Sequence, residues 1–213
     1  GLSVDLINQI AKDFNWEVVW QEQINFGTFP QDLKNGRYDA ICGSIFALPR
    51  NALIDYTAPY AVIPLYGYVR ADNPNLDKPF SAIDWSQVTI AGIDGEAAIA
   101  AAARLLPEAN IETLPQASSI GEVLTQVASN KADIAFAIPS VFGAFNKNNP
   151  GKLKQADLGG PLYKIEITFG VPADEVAFKD IISNAIRRYQ VGGELAALHA
   201  KYDPAGLLEQ PTN

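Results

Sequence analysis

Residues 39–60 read Asp39-Ala40-Ile41-Cys42-Gly43-Ser44-Ile45-Phe46-Ala47-Leu48-Pro49-Arg50-Asn51-Ala52-Leu53-Ile54-Asp55-Tyr56-Thr57-Ala58-Pro59-Tyr60, and this stretch decides the fold. The apolar run Ala40-Ile41-Cys42 ahead of Gly43-Ser44 reads as a buried parallel strand whose carboxyl end opens into a loop, the place where open α/β sheets hold ligands. Leu48-Pro49 then breaks the chain and presents Arg50. A guanidinium fixed there has the planar fork that grips a carboxylate, although an arginine at a helix start can equally be a solvated surface residue.

The order of residues around Arg50 separates these readings. Arg50 follows Gly43 by seven positions and is itself followed by Asp55-Tyr56-Thr57-Ala58-Pro59-Tyr60. This pattern resembles the signature of family 3 periplasmic solute-binding proteins, the amino-acid-binding components of ABC importers, and is shared with the ligand cores of ionotropic glutamate receptors. The resemblance implies an α/β fold of two Rossmann-like lobes joined by a two-strand hinge, the type II periplasmic binding protein. It implies that Arg50 holds a ligand's α-carboxylate, with Gly43, Ser44 and Ile45 in the loop beside it, and that Asp55 to Tyr60 lead toward the hinge. Phe26 matches a family aromatic that packs on the ligand, and a core aromatic is the alternative. Ile45 stands where the family commonly has a threonine. Gly1-Leu2-Ser3-Val4-Asp5-Leu6 looks like the opening of the family's first helix; the strand and ligand-touching loop that come before that helix in the family are not in this sequence.

The bulk composition agrees with a binding domain. With 213 residues, 48% hydrophobic and 19% charged, the chain can bury a real core as one domain or two lobes. Its net charge of −8 argues against nucleic acid or an anionic membrane as partner. No apolar run approaches the roughly 18 residues of a membrane helix, and the first residues lack the basic start of a signal peptide. Methionine is absent, so a processed or trimmed start at Gly1 is expected. A single cysteine, Cys42, excludes an intrachain disulfide and reads as a small buried hydrophobe. One histidine, His199, gives a transition metal or a nucleophile–histidine pair little to be built from. No cofactor, metal ligand or catalytic residue is expected.

Working outward, residues 1–15 carry apolar positions at helical spacing, Glu17-Val18-Val19-Trp20 reads as a strand, and residues 26–35 hold a short helix that stops at Asn35-Gly36. A second copy of this helix, stop and strand follows, with Val123, Leu124, Val127 and Ala128 ahead of Ser129-Asn130-Lys131-Ala132-Asp133-Ile134-Ala135-Phe136-Ala137. Asp133 aligns with Asp39, and Val88 to Gly92 is an intervening strand; two similar α/β lobes explain the repetition, and chance similarity of two βα units is the alternative. Pro64 to Arg70 and the alternating strand 163–171 are the two expected crossings, and Val176 to Tyr202 is helical with a turn at Gly192-Gly193. The expected division is 1–68 and 167–213 for the first lobe and 69–166 for the second.

In the second lobe, Asp94-Gly95-Glu96 opens an alanine-rich helix directly after a strand, which places free backbone N–H groups at an anion site. Asp94 as a helix cap and Glu96 as a complement to the helix dipole are the structural alternatives. The family often has Gly-Thr-Thr here, so an acid replaces a hydroxyl. Ile138 replaces the family's aspartate partner of the α-ammonium. Two ligand classes fit: a cationic ligand paired by Glu96 or Asp94, or a carboxylate without an α-amine lying against Ile45, Phe46, Ile138 and Phe26. The expected function is a monomeric, non-catalytic periplasmic or extracellular protein that passes an amino acid or organic acid to the membrane permease of an ABC importer. The alternatives are an extracytoplasmic sensor domain and an enzyme resembling cyclohexadienyl dehydratase, with Glu96 as its acid.

Overall fold

The computed structural model spans residues 1–213 and describes all of them except 22, 23, 25, 26, 44–51, 204, 205, 210, 212 and 213. The elements begin with α1 (Leu2–Asp13), α2 (Phe29–Lys34), β1 (Ile41–Cys42), β2 (Ile54–Tyr56), β3 (Ala61–Arg70), β4 (Thr89–Ile93), α3 (Ala97–Leu105) and β5 (Asn110–Leu114). They continue with α4 (Ile120–Ala128), β6 (Ile134–Ala137), α5 (Pro139–Asn148), β7 (Leu153–Gln155), β8 (Tyr163–Ile167), β9 (Phe169–Pro172), α6 (Val176–Gly192) and α7 (Glu194–Tyr202). The chain divides into two compact units, Gly1–Ile63 with Ile165–Asn213, and Pro64–Lys164. Both crossings therefore run within strands, β3 and β8, which pair with each other.

The first unit is built on a three-stranded sheet, β1-β9-β2, in which both outer strands run antiparallel to β9. This corrects the expected parallel strand at Ala40–Cys42. That strand is only two residues long, pairs Ile41 with Gly170 and Cys42 with Phe169, and leaves Cys42 partly exposed. The expected single strand over 163–171 is likewise two strands parted at the buried Thr168, one serving each sheet. Helix α1 buries Leu6, Ile10 and Ala11, while α6 buries Ile182, Ala185, Ile186 and Tyr189. Gly193, with φ of +90°, ends α6 and starts α7, a left-handed position that glycine takes without steric cost.

The expected strand at residues 17–20 does not form. An isolated strand leaves its N–H and C=O groups unpaired, and among the described residues none pairs with it; Val19 and Trp20 remain 66% and 51% exposed. This segment, the β1 residues and α1 instead line a cavity of about 1070 Å³.

The second unit has a longer mixed sheet in the order β5-β4-β6-β3-β7. Its middle is parallel, with β4 beside both β5 and β6, and β3 is antiparallel to β6 and β7. All four residues of β6 are buried, as expected of a strand covered on both faces. Gly92 in β4 lets α3 approach, since a Cβ there would lie 2.2 Å from the Ile99 side chain. A capping box joins Ser119 and Glu122 at the start of α4, whose Val123, Leu124 and Val127 enter the core with Ile93, Ala135 and Phe145.

The stops of the two helix-stop-strand copies seen in the sequence are closed by the same three hydrogen bonds. At the end of α2, Asn35 N–H donates to Gln31 O (2.9 Å), Gly36 N–H to Leu33 O (3.0 Å) and Arg37 N–H to Asp32 O (2.9 Å). At the end of α4, Ser129 N–H donates to Thr125 O (2.9 Å), Asn130 N–H to Val127 O (3.0 Å) and Lys131 N–H to Gln126 O (2.9 Å). Gly36 and Asn130 both take the left-handed conformation, with φ of +72° and +58°. Each is a helix stop in which the last carbonyls are satisfied by a reversed chain.

Candidate functional site

In the second unit, strands β4 and β6 are parallel neighbours, registered Ile90 with Ile134 and Ala91 with Ala135. Their carboxyl ends thus reach the same edge of the sheet, and each runs straight into a helix. Asp94-Gly95-Glu96 joins β4 to α3, and Ile138 joins β6 to α5. Gly95 has φ of +88°, which makes the tight turn.

Neither helix start has a side-chain cap. Glu96 is the N-cap residue of α3 and Ile138 that of α5, and neither side chain hydrogen-bonds its own helix's first turn. The expectation that Asp94 caps α3 is therefore not met: its exposed carboxylate accepts a hydrogen bond from Gln116 Nε2 at 2.8 Å. Two helix N-termini ending side by side give one sheet edge a concentration of unpaired N–H groups and positive dipole ends, the arrangement that holds carboxylates and phosphates. The signal for the second terminus lies in Pro139, the first residue of α5, where proline's missing N–H costs nothing.

Glu96 changes the character of this edge. Burial pushes its carboxyl up to about 7, with a hydrogen bond from the Ile93 backbone pulling the other way. The group thus passes between a neutral acid, able to donate a hydrogen bond to an anion, and a carboxylate, able to pair with a cation, close to neutral pH.

Of the residues expected to touch a ligand, Asp94, Gly95, Glu96 and Ile138 are thus brought together by the second unit's sheet. In the first unit Gly43 stands at the end of β1 with φ of +138°. Arg50, Ser44, Ile45 and Phe26, together with Phe46, lie outside the described residues. Among the described residues no group of three or more histidine, cysteine, aspartate or glutamate side chains is placed to hold a metal. No helix among them is long and apolar enough to cross a membrane.

A family model, that of the bacterial extracellular solute-binding proteins, family 3, matches residues 1–205. The chain belongs to this family. The family 3 chain is 24% identical over 208 residues to a probable histidine-binding protein of Neisseria gonorrhoeae, a match covering 95% of this chain and 74% of that protein. Its fold is similar to that of the amino acid ABC transporter substrate-binding protein AbpA of Streptococcus pneumoniae bound to L-arginine (TM-score 0.76, 21% identity, covering 94% of this chain and 82% of that one). It is also similar to a histidine kinase sensor domain resembling periplasmic binding proteins (TM-score 0.79, 18% identity, 99% and 88% covered). The architecture is the type II periplasmic binding protein fold.

Proposed function

We propose that this chain is an extracytoplasmic solute-binding protein, periplasmic or extracellular, that clamps an amino acid or related organic acid and delivers it to the permease of an ABC importer. The observation that carries the reading is the pair of uncapped helix N-termini at one edge of the second unit's sheet, which suits a carboxylate. In this reading Arg50 grips the carboxylate, Gly43, Ser44, Ile45 and Phe26 complete the first unit's contribution, and Asp94, Gly95, Glu96 and Ile138 supply the second unit's.

Glu96 takes the place of the missing acid at Ile138 and pairs with a cationic group of the ligand. The histidine-binding relative and the arginine-bound AbpA favour ligands of that kind. A non-catalytic role fits the same residues, because binding needs positioned polar groups and an apolar lining but no nucleophile with its base. A second reading, a ligand-sensing domain, is favoured by the similarity to the sensor domain over nearly all of this chain.

A thermal-shift screen tests the proposal. L-histidine, L-arginine, L-glutamate and the amine-free acids succinate and phenylpyruvate are each added at millimolar concentration. One of the amino acids raises the melting temperature by about 5 °C or more at a hundredfold excess over its Kd. Arg50→Ala abolishes that rise, and Glu96→Gln reduces it for the cationic amino acids. A rise with the amine-free acids alone removes the pairing assigned to Glu96, and phenylpyruvate formed from added prephenate removes the non-catalytic reading.

A further inference from the structure

A third loop of the second unit reaches the sheet edge where α3 and α5 begin. β5 is parallel to β4 through registered pairs that end at Ile93 with Leu114, so the residues after Leu114 leave the sheet beside Asp94-Gly95-Glu96. Asp94 N–H donates to the Leu114 carbonyl at 3.0 Å, which carries the ladder one residue into the loops. The helix that follows, α4, closes its own N-terminus with the capping box of Ser119 and Glu122, whereas α3 and α5 leave theirs open. Within the loop, Pro115 and Ala117 are exposed but Gln116 is half-buried, although glutamine ordinarily faces solvent. Its side chain folds back onto the turn between β4 and α3, where Nε2 donates to Asp94 Oδ2 at 2.8 Å.

That bond fixes which way the amide faces. A carboxylate only accepts, so the nitrogen is the atom on Asp94, and the planar amide turns Oε1 away from it. Among the described residues no donor reaches Oε1. We propose that Gln116 is a specificity-determining residue of the ligand site, its Oε1 accepting a hydrogen bond from a ligand whose side chain ends in several N–H donors, as a guanidinium does. The proposal rests on the reading of the chain as an amino-acid-binding protein and adds to it an acceptor that carries no charge. Asp94, which orients Gln116, and Glu96 belong to one turn around Gly95. Two acceptors of different kind therefore attend that turn: a carboxyl that answers a ligand's charge and a carbonyl that answers its N–H geometry. A planar guanidinium presents donors along more than one edge and can meet both, whereas an ammonium is a compact point charge.

Calorimetric titration of the whole chain with L-arginine and with L-norvaline, which has no guanidinium, tests the proposal. Gln116→Leu weakens L-arginine by about tenfold or more, the loss of one hydrogen bond to a charged group, and leaves L-norvaline within about twofold. Gln116→Met, which keeps the length of the side chain without the acceptor, does the same and stands in if Gln116→Leu does not fold. An arginine affinity unchanged in both variants, with Arg50→Ala still abolishing binding, overturns the assignment to Gln116 and leaves the proposed function standing. Equal losses for arginine and norvaline overturn it too, since they reduce Gln116 to a support of the turn. Should the unaltered chain take up other amino acids but not arginine, this inference alone falls; should it bind none, the proposed function falls with it.

Discussion

The two helix-stop-strand copies end alike and continue differently. Gly36 and Asn130 make the same left-handed stop with the same three hydrogen bonds, so the local code is complete in each. In the second unit the strand that follows, β6, is four residues long, fully buried, and paired on both edges, to β4 and β3. In the first unit β1 is two residues long and, among the described residues, pairs on one edge only, with β9. A cavity of about 1070 Å³ is lined by residues 39–42 and by the segment 16–21, in which Trp16 and Val18 are half-buried and the rest exposed. A turn is thus specified by its own residues, whereas a strand acquires length and burial from its neighbours.

The comparison can be broken most easily in the cores. Leu124 in α4 and Leu33 in α2 belong to the helices that lead into the two stops, and both are fully buried. Leu124→Ala opens a void in packed surroundings and should cost about 3–4 kcal/mol. Leu33 already lines the cavity, so Leu33→Ala should cost about 2 kcal/mol, because its lost contacts are fewer and its surroundings freer to relax. Denaturant unfolding followed by amide exchange in each unit measures both; equal costs would show that the first unit is as tightly packed as the second.

The aligned aspartates are expected to differ too, at a lower individual cost. The Asp133 carboxylate accepts the Thr89 N–H at 2.8 Å and its own N–H donates to Thr89 O at 2.9 Å, which fastens β6 to β4. Asp133→Ala leaves a part-buried N–H unpaired and should destabilise by about 2 kcal/mol. Asp39 is exposed, and Asp39→Ala should stay within about 0.5 kcal/mol.

The smallest effect is one of pH. The Glu96 carboxyl is raised from 4.5 to about 7, so between those values the folded chain holds a proton that the unfolded chain has lost. Stability therefore falls as pH rises through that window, by about 1–2 kcal/mol once partial exposure of the group is allowed for. Glu96→Gln should flatten the dependence, which melting temperatures at pH 4.5 and 7.5 would reveal; an unchanged slope would assign it to other groups.

These contrasts mark what the sequence disclosed. Both stops were legible because Gly36 and Asn130 are the residues that tolerate positive φ, and the break at Gly192-Gly193 was legible for the same reason. The family and its fold were expected from the resemblance that Gly43, Arg50 and Asp55 to Tyr60 carry. The antiparallel direction of β1 was not legible, because its partner β9 lies more than a hundred residues away and nothing in Ala40-Ile41-Cys42 encodes direction. The strand expected at residues 17–20 was read from its side chains alone, which carry no information about whether a partner stands beside them. At the candidate site, the turn at Asp94-Gly95-Glu96 announced itself through glycine after an apolar run. The second terminus at Ile138-Pro139 was seen only as a departure from the family's pattern.

The placement of the three tryptophans gives each unit its own optical signature. Trp16 and Trp20 flank the first unit's cavity, Trp16 stacked on Phe14 at 5.0 Å and Trp20 half in solvent, while Trp85 is buried in the second unit with its indole N–H on the Phe80 carbonyl. Emission from Trp20 should be red-shifted and readily quenched by acrylamide, and that from Trp85 blue-shifted and shielded. One cuvette and two wavelengths would then follow the melting of both halves separately, with no dye attached.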